Sequence, residues 1–182
     1  MNEHCNTPDT PEILKSLSHL YEKIDERISH LREIHATRLR CAPGCSECCI
    51  DDISVNEVEA VNIQLHYAGL LKNESPYPPG ACAFLSKDTT CRIYDNRPYV
   101  CRSEGLPLTW IEERNGKTIA FRDICPHNEI GTPIEELPEN ACWKIGPIEL
   151  ELAKLQNKLG CGVMKRVKLR TLFSLLNAPP CR

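Results

Sequence analysis

Aromatic residues make up only 5% of the 182-residue sequence, too few for a core built around stacked rings. Charge of either sign is not in excess: the net charge is −3 and the pI near 6.1, so the chain has no overall attraction for nucleic acid. No uninterrupted apolar run approaches the length of a membrane span, and no apolar secretory segment is visible at the N-terminus. Internal repeats, a phosphate-cradling glycine loop and any Ser/His/Asp order are also missing, so hydrolase and nucleotide-binding readings have no support. What these absences leave is a soluble, cytoplasmic chain, long enough to bury a core without disulfide staples.

Cysteine, by contrast, is abundant, with twelve in the sequence. Four fall in the run Cys41-Ala-Pro-Gly-Cys45-Ser-Glu-Cys48-Cys49, too densely for packing alone. The short spacers let a loop fold back so that Cys41, Cys45 and Cys48 converge on one ion or cluster, and Pro43-Gly44 supplies the turn. Adjacent residues of an extended segment point to opposite sides, so Cys49 serves a second centre or stands as a free thiol unless the backbone kinks there. A disulfide framework is the alternative, but cysteine-rich cytosolic chains more often bind metal.

The rest of the chain supplies a scaffold. Residues 1–9 are polar, and His4 and Cys5 receive no role. Pro11 and Glu12 open a helix over residues 10–36, with Leu14, Leu17, Tyr21, Ile24, Ile28 and Leu31 as an apolar stripe that packs across the cysteine region. Its histidines, His19, His30 and His35, have no visible partner. Ser54-Val-Asn-Glu57 reads as a capping box opening a second helix that buries Val58, Val61, Leu65 and Ala68, and Asp51, Asp52, Glu57 and Glu59 serve capping and solvation. Residues 72–80 are a Pro-rich linker. Asn115-Gly116 closes a β-hairpin that sets Trp110 opposite Phe121. A last helix spans residues 147–159 and stops at Gly160, and Lys165, Arg166, Lys168 and Arg170 read as a solvated basic face.

A second cysteine group lies between linker and hairpin: Cys82-Ala-Phe84-Leu85, Cys91-Arg-Ile93-Tyr94, and Arg97-Pro98-Tyr-Val-Cys101-Arg102. Pro98 suits a helix start, which places Cys101 near a positive helix end. Arg92, Arg97 and Arg102 are placed to offset the net charge of about −2 left by four thiolates on a dipositive centre. Phe84, Leu85, Ile93 and Tyr94 are packing residues. The ordered set CxxxCxxCC, CxFL, CxIY and RPxxCR resembles the YkgJ-like cysteine-cluster family of zinc- or iron-chelating domains, over residues 41–126. That family includes a flagellin lysine N-methylase as a longer relative. Its members are similar in placing a Cys-Pro near Cys125-Pro126, which makes Cys125 a ligand candidate. His127 could share that role, though a surface histidine fits as well. Cys142 is either a ligand or a buried thiol, Cys161 follows the last helix, and Cys181 is incidental.

The fold expected is α+β, mainly helical with one β-hairpin and an irregular, metal-organised cysteine-rich core. It divides into an N-terminal helix (10–36), a metal-binding domain (37–146) and a C-terminal helix with a basic tail (147–182). Cys41, Cys45, Cys48, Cys49, Cys82, Cys91, Cys101 and Cys125 are the metal candidates, enough for two four-thiolate centres or for one with spare redox thiols. Zn²⁺ and a [4Fe–4S] cluster both accept four thiolates. A metal or cluster is the one partner expected, with neither nucleic acid nor membrane. Two other classes remain open. CxxxCxxC also matches the spacing of radical S-adenosylmethionine enzymes, and with the methylase relative it keeps an iron–sulfur-dependent enzyme in view. A metal-transfer or redox protein would use Cys49 as an exchangeable thiol.

Overall fold

The computed structural model describes residues 9–160, 162 and 165–175. Cys5, Cys161, Cys181 and the residues around them lie outside that set.

The chain opens with a helix, α1 (Thr10–Ile34), which has Pro11 in its first turn, Glu12 near its positive end and Arg32 in its last turn. All three favour a helix at those positions. Its buried stripe is Ile13, Leu17, Leu20, Tyr21, Ile24, Ile28 and Leu31; Leu14, expected on that stripe, is only partly buried. The helix ends where the His35 N–H returns to the Leu31 carbonyl at 2.9 Å. The buried His35 ring is satisfied by the Ala141 carbonyl at 2.7 Å, so this histidine is a core residue.

Ser54 does not cap a helix. Ser54–Asn56 forms a strand, β1, and the capping box shifts to Asn56 and Glu59 at the head of α2 (Glu57–His66). The shift turns the helix, so Leu65 is 59% exposed while Ile63 is fully buried. A short α3 (Ala68–Asn73) then runs into the stretch expected to be linker. The second cysteine group holds α4 (Tyr99–Ser103). The hairpin forms as its turn dictates: β2 (Leu108–Arg114) pairs with β3 (Lys117–Asp123), Trp110 opposite Phe121. β4 (Trp143–Lys144) adds to β2 in parallel and leads into α5 (Ile145–Lys158), with Gly160 beyond it at φ +79°.

Lys165, Arg166 and Lys168 are exposed, as a solvated basic face requires, but the segment also pairs with β1. Its strand β5 (Arg166–Lys168) pairs antiparallel with β1. Lys165 pairs with Glu57, Lys168 with Asp52 and Arg170 with Asp51. Arg170 also donates to the carbonyls of Tyr77 and Ala81, which fastens the Pro-rich stretch, and α6 (Leu172–Leu175) follows. The architecture is thus α+β, with two small sheets.

Two cores result. In the first, α1 packs on Val58, Tyr99, Leu106, Trp143, Leu152, Leu155 and Leu159, with no cysteine among the described residues. The second joins Val55, Ile63, Leu71, Phe84, Leu85 and Ile93 to Leu169, Leu172 and Phe173, and Cys49, Cys82 and Cys91 sit in it. The second core thus carries one thiol of the first cysteine run and two of the second group.

Candidate metal centre

Residues 41–49 have no helix or strand. Two reverse turns shape them: the Cys45 N–H returns to the Ala42 carbonyl at 3.0 Å and the Cys49 N–H to the Ser46 carbonyl at 2.9 Å. Gly44 permits the first turn with φ +89°, a region that costs a side-chain residue energy. The loop is tied at both ends. Thr89 Oγ1 donates to the Gly44 carbonyl at 3.1 Å. The fully buried Asn128 accepts from the Arg40 N–H at 2.7 Å and donates to the Gly105 carbonyl at 2.7 Å and to Cys41 Sγ at 3.4 Å.

The second turn supplies the kink that redirects Cys49. The two neighbouring thiols act on one another: a hydrogen bond from the Cys49 thiol lowers Cys48 to about 7. The same bond, with burial, pushes Cys49 far up. Cys82 and Cys101 also raise Cys49, and Cys82, Cys91 and Cys48 raise Cys101 after burial, the largest cause. On the other side Cys125 is raised by burial first and then by Cys41, Cys45 and Cys48. Electrostatic influence thus links Cys125 to Cys41, Cys45 and Cys48, and links Cys101 to Cys82, Cys91 and Cys48.

These are neighbourhoods and not closed ligand sets. Among the described residues no group of three or more His, Cys, Asp or Glu side chains stands ready to hold a metal ion. Metal binding and the closing of such a site are coupled, because the ligands must lose their protons as the ion draws them together. The donor chemistry fits: a set of eight sulfurs suits zinc or iron–sulfur chemistry and not magnesium or calcium.

Several sequence expectations change here. Cys101 lies in a helix of only five residues, and burial raises its thiol well above the usual range, outweighing any benefit from the helix end. Arg102 does not face the thiols. It pairs with Asp25 at 2.5 Å, donates to the Arg97 and Asp95 carbonyls and stacks on Tyr21. Arg92 pairs with Glu74, and Arg97 stacks on Tyr94; both still lower Cys91 electrostatically. Cys142 is 2% exposed, and the groups acting on it after burial are Arg122, Arg38 and Glu139, with no cysteine among them. It is a buried thiol apart from the eight. His127 is a surface residue, 3.5 Å from Glu47, on a cleft of about 510 Å³ that Cys48 and Cys125 also line.

Residues 40–126 match the CxxCxxCC family, described as a putative zinc- or iron-chelating domain. The segment is similar to this family over 87 of the 182 residues. Comparison with curated proteins and with solved structures gave no match. The CxxCxxCC segment contains all eight candidate thiols, whereas Asn128, α1, α5 and β5 flank it. Asn128 was not foreseen, since a single Asn after Cys-Pro-His carries no spacing signal. Glu59 caps α2 as expected but is not solvated. It is 2% exposed and accepts from the Tyr21 hydroxyl at 2.9 Å and the Tyr99 N–H at 2.7 Å, so it joins α1 to α4.

Proposed function

We propose that the eight thiols bind metal as two four-thiolate centres meeting at Cys48 and Cys49, one formed by Cys41, Cys45, Cys48 and Cys125, the other by Cys49, Cys82, Cys91 and Cys101. The observation that supports this reading is the Cys82 N–H bond to the Cys49 carbonyl at 2.7 Å, which holds Cys49 beside the second group, together with the action of Cys41, Cys45 and Cys48 on Cys125. Zn²⁺ bound there would add folding energy, and a [4Fe–4S] cluster would add electron-transfer chemistry. In either case the protein's part is to supply thiolates, and loading expels the thiol protons.

On this reading residues 37–146 are the metal-binding unit, flanked by segments 10–36 and 147–182, in a reducing, cytoplasmic setting; no described cysteine is in a disulfide. One observation favours a second reading, metal transfer or thiol exchange. Cys48 is exposed and its thiol is held at about 7, so a large share is thiolate near neutral pH. The exchangeable thiol would then be Cys48 rather than Cys49.

The test is anaerobic purification followed by elemental and sulfide analysis. About two zinc ions per chain, or iron with matching sulfide, is the expected result. Less than about half a metal per chain, with several disulfides found by mass spectrometry, would overturn it.

A further inference from the structure

We infer that the two halves of the thiol cluster differ in access: Cys41, Cys45, Cys48 and Cys125 form an exchangeable site entered through the cleft beside them, while Cys49, Cys82, Cys91 and Cys101 hold a locked structural centre. This rests on the metal-binding reading above, and its test separates the two.

Exposure divides the thiols in that way. Cys41, Cys45 and Cys48 are exposed and Cys125 half-buried, whereas Cys82 is buried and Cys49, Cys91 and Cys101 are half-buried. Their supports differ as well. The first set rides on an irregular loop, held by two reverse turns and the Asn128 and Thr89 hydrogen bonds. The second is threaded through a core: Phe84 and Ile93 are fully or almost fully buried, and the Phe84 ring lies 4.9 Å from that of Phe173. Opening that centre would mean separating Phe84, Leu85 and Ile93 from Leu169, Leu172 and Phe173, which exposes apolar surface to water.

Beside the first set lies the cleft, about 510 Å³, where Cys48 and Cys125 share the wall with Glu47, Glu104, Asp123 and His127. Oxygen and imidazole donors at the mouth of a thiol site have a defined use. They take a hydrated divalent cation weakly, letting it shed water before sulfur replaces oxygen, and they work in reverse for release. The His127 and Glu47 side chains are 54% and 70% exposed, so they meet the incoming ion first. The ligand class is a divalent transition-metal ion, exchanged with a small soluble chelator.

The full chain, loaded with zinc, is mixed with excess chromogenic chelator under anaerobic conditions. Zinc should leave in two phases of equal amplitude, with rates separated by at least about tenfold. Iodoacetamide added after the fast phase should alkylate Cys41, Cys45, Cys48 and Cys125 and spare the other four. The double variant Glu104→Gln/His127→Ala should slow the fast phase severalfold and leave both amplitudes unchanged. If two zinc ions leave in one phase, if alkylation is spread over all eight thiols, or if the double variant releases zinc at the wild-type rate, the inference fails while metal binding stands. If zinc never binds, the metal-binding reading falls and this one with it.

Discussion

The backbone N–H of Cys82 donates to the carbonyl of Cys49 at 2.7 Å, so the last thiol of the first run and the first thiol of the second are joined through the main chain. Separate modules would not share that bond. Cys101→Ser, nearly isosteric, should therefore lower metal content by about half and loosen residues 41–68 together with residues 82–126. Amide hydrogen exchange checks this: full protection retained in α2 while the second group melts would mean that the two groups are independent.

Gly105 sits at φ +87°, and a Cβ there would lie 2.6 Å from Cys41 Sγ and 3.2 Å from Asn128 Nδ2. Gly105→Ala should destabilise the protein by about 1–3 kcal/mol and displace Cys41, reducing metal at the exposed site. Gly69→Ala is the control. It lies in α3 with nothing within 4 Å of the added Cβ, so stability should hold or rise by up to about 1 kcal/mol. Urea unfolding of the two variants side by side gives the comparison.

Glu59→Ala leaves the Tyr21 hydroxyl and the Tyr99 N–H without their acceptor in a buried place. The expected loss is about 3 kcal/mol, or roughly 6–12 °C in Tm for a chain of this size. A calorimetric Tm within about 2 °C of wild type would show that Glu59 is not the junction of α1 and α4.

Arg102→Lys separates a structural arginine from one that offsets cluster charge. A lysine cannot reproduce the bonds to Asp25, Arg97 and Asp95 together with the stacking on Tyr21. Stability should fall by about 2 kcal/mol while metal per chain stays at the wild-type value. Loss of metal at unchanged stability would restore the charge-offset role.

Removing the metal should affect the two cores differently. Among the described residues, the first holds no cysteine and the second holds three. After anaerobic chelation, Leu17 and Ile24 of α1 should keep slow amide exchange while Phe84, Ile93 and Leu169 lose it. Equal loss in both cores would show that they do not unfold separately.

What the sequence made legible was whatever local chemistry decides. Pro11 and Glu12 start α1, Asn115-Gly116 closes the hairpin with Trp110 opposite Phe121, and Gly160 follows α5. Distant partners decided the rest. Ser54 reads as a cap because nothing nearby reveals β5, and the ion pairs of Lys168 and Arg170 are hidden because Asp52 and Asp51 lie far away in sequence. Glu59 and Asn128 look like surface residues until tertiary contacts bury them. For the thiols, spacing marked the candidates. Their grouping depended on a turn at Ser46–Cys49 that the sequence does not announce.

β1 and β5 pair Ser54 with Lys168 and Asn56 with Arg166. A strand completed early in synthesis therefore waits for a partner more than a hundred positions later, a costly closure that comes late in folding. All eight candidate thiols have left the ribosome before Arg166 does. Metal offered during translation would meet a cluster not yet covered by Leu169, Leu172 and Phe173, and metal offered afterwards would meet a finished wall. On the proposed two-centre reading, the order of synthesis would give the inner centre its period of access, and a chain released without metal should fill the outer site more readily than the inner one.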